Sequence, residues 1–186
     1  MIRAGYMEWI AAIVVAGAIA ASWNDYRRHR VPNLLNAAIL LAGLFIQSAF
    51  FGWSGLQQGL WGVAVGAGPL FILWMMKAIG AGDVKFMGAL GACLGPHMTL
   101  NAVVVGGLVG GVMAIAMLAA QRNWRQTSMN MGVLVTKMSS LRTAFGEFGS
   151  VQSMCTSGGV MPYAIPLSIG SLVVVFANYF GWWKVL

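Results

Sequence analysis

Acidic side chains are scarce in this chain, so the few that exist decide which chemistry is open to it. Among 186 residues the only acids are Glu8, Asp25, Asp83 and Glu147. Glu8 lies at the beginning of an apolar stretch and Glu147 lies in a more polar segment, so we expect both to be solvated. Asp25 stands just before an arginine cluster, and Asp83 ends the run Gly-Ala-Gly-Asp at 80–83. The two aspartates are therefore the candidates for acid–base chemistry.

A pair of neighbouring carboxylates contains both a general base and a general acid, because repulsion between like charges keeps one of the two protonated. Such a pair activates water to attack a peptide carbonyl and then protonates the leaving nitrogen. The two groups titrate as a unit, so the sequence does not assign the proton to either aspartate.

Each aspartate also has a purely structural interpretation. Asp25 can pair with the arginines that follow it, and Asp83 can cap a helix that begins at Val84. The flanking Gly80 and Gly82 favour chemistry instead, because they free the backbone and leave room for another chain beside the carboxylate. Ionisable residues at membrane depth are moreover functional hypotheses by default.

The composition places both aspartates in a membrane protein. The chain is 59% hydrophobic and 8% charged, whereas a soluble domain carries about 25% charged residues. These values exclude a disordered chain, a disulfide-stapled secreted domain and an ordinary cytosolic enzyme. Cys93 and Cys155 form no C-x-x-C pair, so a four-cysteine zinc site is impossible. We expect neither a metal nor a cofactor.

Six apolar segments indicate an all-α, polytopic bundle of about six transmembrane helices. Crossing the hydrocarbon core takes about 20 residues; one segment is much shorter and predicts a short or tilted fourth helix after the Gly-Ala-Gly-Asp run. In chain order the segments are 7–23, 34–51, 55–76, 86–95, 100–120 and 160–183. Because neither a repeat nor a separate soluble domain is visible, we expect residues 1–186 to form one membrane-embedded domain.

Positive charges predict the orientation of this bundle. Nine of the 11 Lys and Arg residues, from Arg27 to Arg142, fall on one side of a six-span topology, and only Arg3 and Lys184 fall on the other. Since positive charge concentrates on cytoplasmic loops, both termini are predicted to face outward and both aspartates to lie near the cytoplasmic face. No nucleic-acid-binding module accompanies these charges.

One long loop, residues 121–159, is expected on the cytoplasmic side. Its apolar residues recur at helical spacing. This pattern predicts an amphipathic helix, which either lies on the inner leaflet or packs on neighbouring helices.

Three motifs resemble those of a known family. Asp25 followed by Val-Pro-Asn at 31–33, and then Gly-Ala-Gly-Asp-Val-Lys at 80–85, are similar to the type IV prepilin peptidases, intramembrane aspartic proteases of the GxGD type. Met-Pro-Tyr-Ala-Ile-Pro at 161–166 resembles the segment that opens the last helix of that family. The resemblance extends from the first span to the last.

The resemblance implies a function. It makes Asp25 and Asp83 the catalytic pair of an endopeptidase that removes the short basic leader of prepilin-like substrates in type IV pilus assembly and protein secretion. The expected location is the bacterial inner membrane, with the site at its cytoplasmic face. The residues expected to form the active-site loop or contact substrate are Gly80, Gly82, Lys85, Pro162 and Tyr163.

Two of these assignments stay open. Lys85 either orients Asp83 or extends its ammonium group to the membrane surface. Pro162 and Tyr163 either line the site or begin the last helix.

Longer prepilin peptidases carry an extra cytoplasmic domain with paired C-x-x-C motifs and N-methylate the new terminus. Here residues 26–33 alone separate Asp25 from the second span, and no such motif exists. The chain therefore resembles the short, peptidase-only form of tight-adherence (Flp) pilus systems, and we do not expect methylation.

Two other classes of protein remain as alternatives. A proton- or ion-coupled transporter would use Asp25 and Asp83 as cation sites, and a non-catalytic assembly subunit would retain the fold without activity. Transporters usually show internal repeats and acids at the membrane midplane, so the peptidase is favoured. The sequence does not indicate the oligomeric state.

The six-span topology can be tested by labelling. In a background without Cys93 and Cys155, the variants Arg142→Cys and Lys184→Cys should react with a membrane-impermeant maleimide from opposite sides, because a single span separates the two positions. Labelling of both positions from the same side would show that the topology is wrong.

Overall fold

The computed structural model describes residues 2–28, 32–75, 79–120 and 163–181. These residues form α1 (Ile2–Arg28), α2 (Asn33–Met75), α3 (Ala81–Ala120) and α4 (Ala164–Tyr179). No strand occurs in these ranges. The prediction of an all-helical protein is thus confirmed for the part of the chain that is described.

Two glycines divide the long helices. Gly52 in α2 has φ 60° and ψ −138°, and Gly95 in α3 has φ 73° and ψ 172°. A positive φ is readily available to glycine alone, and Pro96 directly after the second break removes a backbone donor. Each long helix therefore consists of two segments: residues 33–51 and 53–75 of α2, and residues 81–94 and 96–120 of α3.

These breaks agree with the predicted segments in part. The expected short fourth helix over 86–95 ends at the break, but the observed segment begins earlier, at Ala81. The two spans predicted over 34–51 and 55–76 are joined through Gly52 without an intervening loop. The glycine-rich runs were too ambiguous in sequence to fix either boundary.

Successive segments run in opposite directions. The Tyr6 ring lies 5.7 Å from that of Phe50, whereas further along α1 a methyl group added at Gly17 would meet Ile39. Early residues of α1 thus face late residues of the first α2 segment, and the two are antiparallel.

The remaining pairs of neighbouring segments are also antiparallel. In the second segment of α2, Gly62 packs on Gly91 and Gly66 packs on Met87 of α3. In α4, Gly170 packs on Ala102, while residues near the start of α4 pack further along α3. The alternating directions bring the end of α1 and the beginnings of α2, α3 and α4 to one end of the bundle.

The first segment of α3 forms the centre of this packing. All residues from 86 to 95 are buried, and Phe86, Met87 and Leu90 are fully enclosed. The short apolar stretch that looked too brief for an upright span is thus the most enclosed part of the described structure. Small residues on its neighbours allow this close approach.

The outer surface has the character expected of a protein in lipid. Leu34 is 82% exposed and Trp53 74%, and among the described residues three helical stretches are long and apolar enough to cross a membrane. Helix α4 is apolar but shorter, with 16 residues. These are the helices of an integral membrane protein; the number of crossings and the side of the termini stay predictions.

The chain divides into two compact units, residues 1–110 with 162–186, and residues 111–161. The first unit contains the packing of α1 on α2 and α4, and of α2 and α4 on the glycine-rich part of α3. Of the second unit, the structure describes residues 111–120 at the end of α3. The predicted amphipathic helix within 121–159 lies outside the described residues, as does Pro162.

Substitution of Gly62 tests the glycine packing. A methyl group there would overlap the carbonyl oxygen of Gly91, whereas Gly107 has no neighbouring atom within 4 Å of an added methyl group. Gly62→Ala should therefore lower the free energy of unfolding by about 1–3 kcal/mol, while Gly107→Ala should not. Unfolding in mixed detergent micelles measures both. Equal stabilities would contradict the packing described.

Candidate active site

Asp25 lies near the end of α1 and is held by the beginning of α4. Its side chain is 5% exposed, and Oδ2 accepts a hydrogen bond of 3.0 Å from the backbone N–H of Ala164. The first N–H groups of a helix have no partner within the helix and carry partial positive charge. The start of α4 therefore provides a fixed donor for this carboxylate.

The sequence left open that Asp25 pairs with the arginines that follow it. The structure shows where one of them, Arg27, lies. The guanidinium carbon of Arg27 lies 4.5 Å from the centre of the Trp23 ring. This cation–π contact places Arg27 along the exposed side of α1.

Asp83 lies in the first turn of α3 and is 8% exposed. Its backbone N–H donates to the carbonyl oxygen of Gly80 over 3.1 Å. The helix begins at Ala81, so the alternative interpretation of Asp83 as the cap of a helix that begins at Val84 is wrong. Ala81 and Gly82 join the first turn because this bond closes it one turn earlier.

Gly80 leaves space next to the Asp83 carboxylate. A methyl group at Gly80 would lie 3.1 Å from Asp83 Oδ2, which is tighter than ordinary van der Waals contact. Gly80 does not adopt a positive φ, so glycine is favoured at this position because it has no side chain. Of the two reasons expected for a glycine here, backbone freedom and room, the geometry supports the second.

The structure brings the two aspartates together. The carboxylates of Asp25 and Asp83 are close enough for their charges to act on each other, although 58 positions separate them in the chain. Helices α1 and α3 supply one carboxylate each, at the end of the bundle where their directions place both. Two buried carboxylates, of which Asp25 is bonded to the start of α4, form the candidate site.

Asn36 is a further polar residue at this end, and it was not among the residues expected from the sequence. Its side chain is 5% exposed, and Nδ2 donates to the carbonyl oxygen of Gly82 over 3.4 Å. The bond links α2 to the residue directly before Asp83. A polar side chain one turn after Asn33 on an otherwise apolar helix was the available signal.

The Lys85 side chain contacts Asn33. This contact does not decide whether Lys85 orients Asp83 or extends to the membrane surface. Lys85 Nζ donates to Asn33 Oδ1 over 3.4 Å, and both side chains are exposed. This contact joins the beginning of α2 to the first turns of α3. Asn33 therefore contacts the helix that bears Asp83.

Tyr163 precedes α4 and is partly buried. It is adjacent to Ala164, the donor to Asp25, and it stands where α4 begins, so its role in substrate contact stays a prediction. Among the described residues no group of three His, Cys, Asp or Glu side chains is arranged to hold a metal ion.

The fold and the site define a class, an integral membrane protein of apolar helices with a buried pair of aspartates at one end. Residues 12–115, more than half of the chain, match the model of the type IV leader peptidase family. The matched range contains both aspartates and the first five helical segments in part or whole. The chain belongs to this family, and the resemblance found in its sequence is confirmed.

Curated relatives support the same assignment. The prepilin leader peptidase/N-methyltransferase of Stutzerimonas stutzeri is 29% identical over 135 residues, covering 63% of this chain and 46% of the relative. The protein of that name from Burkholderia pseudomallei (strain 1026b) is 31% identical over 134 residues, covering 56% and 43%.

A relative from Escherichia coli O78:H11, the type 4 prepilin-like proteins leader peptide-processing enzyme, is 29% identical over 116 residues, covering 58% of this chain and 43% of the relative. The chain thus spans less than half the length of these relatives. No solved structure matches it.

Two substitutions of Asp25 test the hydrogen bond to α4. Asn retains an oxygen acceptor for the N–H of Ala164, whereas Leu, of similar size, leaves that buried donor unpaired. Asp25→Leu should therefore unfold with a free energy about 1–3 kcal/mol lower than Asp25→Asn. Detergent unfolding of the two variants measures the difference, and equal values would indicate that the bond does not hold α4.

Proposed function

We propose that this protein is an intramembrane aspartic endopeptidase that removes the basic leader peptide from type IV prepilin-like proteins. The observation that carries the proposal is the buried pair Asp25 and Asp83 in a member of the type IV leader peptidase family. The names of its relatives, which refer to prepilin leader processing, support the choice of substrate.

In the proposed reaction, a water molecule lies between the two carboxyl groups. The ionised carboxylate takes a proton from this water as its oxygen attacks the carbonyl carbon of the scissile peptide bond, and the protonated partner donates to the carbonyl oxygen. The C–N bond then breaks while a proton passes to the leaving nitrogen. The products are a leader with a new carboxyl terminus and a mature chain with a new amino terminus.

The neighbouring groups orient this pair. The N–H of Ala164 fixes the direction of the Asp25 carboxylate. Gly80 leaves room for the substrate backbone beside Asp83, and Asn36 holds the carbonyl of Gly82. Positioning of this kind supplies much of the rate advantage of an enzyme. Lys85, Pro162 and Tyr163 are proposed to contact the substrate.

The proposed setting follows from the charge distribution of the chain. We place the site at the cytoplasmic face of the bacterial inner membrane, where the basic leader of a prepilin remains in water while its apolar segment lies in the bilayer. Two carboxyl groups and water suffice for the hydrolysis, so the proposal requires no cofactor. It does not include N-methylation of the product.

Co-expression with a prepilin from the same genome tests the proposal. Asp25→Asn and Asp83→Asn should each slow leader removal by at least about 10²–10⁴-fold, while the amount of protein in the membrane stays unchanged. The matched control is Glu8→Gln, an exposed acid on α1, which should cleave at the rate of the wild type. Gel mobility of the prepilin gives the readout.

Two results would contradict the proposal. One is processing at the normal rate by either asparagine variant. The other is failure of the wild-type protein, present in the membrane at normal levels, to process any prepilin of its genome.

A further inference from the structure

A groove of about 540 Å³ runs between three helical segments on one side of the candidate site. The first segment of α2 contributes Ala37 and Leu40, the second contributes Val63 and Ala67, and α3 contributes Val84 with its neighbours. The walls are mostly apolar. No sequence pattern predicted a cavity here, because its walls come from three segments far apart in the chain.

The polarity of the groove changes along its length. Asn33, Asn36 and Lys85 line one end, and Lys85 alone is charged among the described residues that line it. The wall formed by residues 33–40 of α2 is about 10 Å long at 1.5 Å per residue. That length accepts about three residues of an extended peptide or two turns of a helix.

The polar end of the groove lies next to Asp83 in the chain. Val84 and Lys85 directly follow Asp83 in the chain, and Asn36 is bonded to Gly82 directly before it. A peptide that extends from the carboxylates into the groove therefore need not cross another helix.

Asn36 also has an unused hydrogen-bonding group. Its Oδ1 atom is buried and accepts no hydrogen bond within the described structure. A buried acceptor without a donor costs about 1–3 kcal/mol. Because the terminal torsion of an asparagine is broad, the amide can turn toward a donor on a ligand in the groove.

The groove opens onto the outer face of the bundle. Ala37 is exposed and shares a helix face with Leu34 and Leu41, which are 82% and 64% exposed. In an integral membrane protein this apolar face adjoins lipid, so an apolar peptide already in the bilayer can enter sideways.

We propose that this groove binds the apolar peptide segment on the carboxyl-terminal side of the bond that is cut, with the amide of Asn36 as a hydrogen-bond partner of its backbone. The inference rests on the proposed function and specifies where the substrate lies. The charge of Lys85 determines which side of the cut bond lies in the groove. Lys85 would repel the basic leader, so the apolar segment after the cut is the part of the substrate that binds there. Unpaired N–H groups occur in an extended peptide and in the first turn of a helix.

Tryptophan substitutions at two adjacent positions test the groove. Ala37 lines it, whereas Ala38 is also exposed and does not line it. Ala37→Trp should raise KM for prepilin cleavage by about tenfold or more with little change in kcat, as expected when binding alone is lost. Ala38→Trp should match the wild type. Asn36→Leu should raise KM because the backbone partner is lost, and it should also lower kcat because Asn36 holds the carbonyl next to Asp83.

A second measurement locates the substrate without altering the groove. A prepilin carrying photo-leucine at the first, third or fifth residue after the cut is bound to the inactive Asp83→Asn protein and irradiated. The expected cross-links fall in residues 33–40, 63–67 and 84–88. Cross-links confined to α4, or equal KM values for the two tryptophan variants, would overturn the proposal.

These outcomes are separable from failure of the proposed function. If the wild type cleaves and the two tryptophan variants are alike, the groove is not the binding site but the peptidase assignment stands. If the wild type does not cleave, the function is wrong and the groove proposal fails with it.

Discussion

The constraint on which this structure depends is the burial of two carboxyl groups in an apolar helix bundle. A buried charge is costly unless hydrogen bonds or other charges compensate it. For Asp25 the compensation includes the N–H of Ala164, which exists because α4 begins at that point. The backbone that carries Asp83 is fixed by the first turn of α3, which closes on Gly80, and by Asn36, which bonds to Gly82. The helix ends thus stabilise the site, and their positions determine its geometry.

The alternation of helix directions places those ends together. Gly52 and Gly95 allow α2 and α3 to reverse within a single residue, so little chain is spent on loops at the far end of the bundle. Close packing of Gly62 on Gly91 fixes the spacing of the central segment. The proposed site therefore depends on these glycines as well as on the two aspartates, because the close packing of the helices brings the aspartates into one site.

Sequence patterns predicted the class of the protein, and they singled out Asp25 and Asp83, which the structure buries. Their rarity made Asp25 and Asp83 conspicuous, and the length and hydropathy of the spans indicated a membrane bundle. The groups that surround these two aspartates were harder to predict. The donor to Asp25 is a backbone group, which no residue type announces, and the groove near Asn36 arises only when three segments pack. The start of α3 was misplaced because Gly-Ala-Gly resembles a loop in local propensity, whereas the backbone bond from Asp83 to Gly80 closes a helical turn there.

The central claim is that Asp25 and Asp83 act as one catalytic unit, and a double-variant cycle tests it most directly. Leader cleavage would be measured for Asp25→Asn, Asp83→Asn and the double variant, with equal protein in each membrane. Residues that act together are strongly non-additive, so the double variant should be no slower than either single variant. Losses that multiply would show that the two aspartates contribute independently, and the catalytic pair proposed for the site would be wrong.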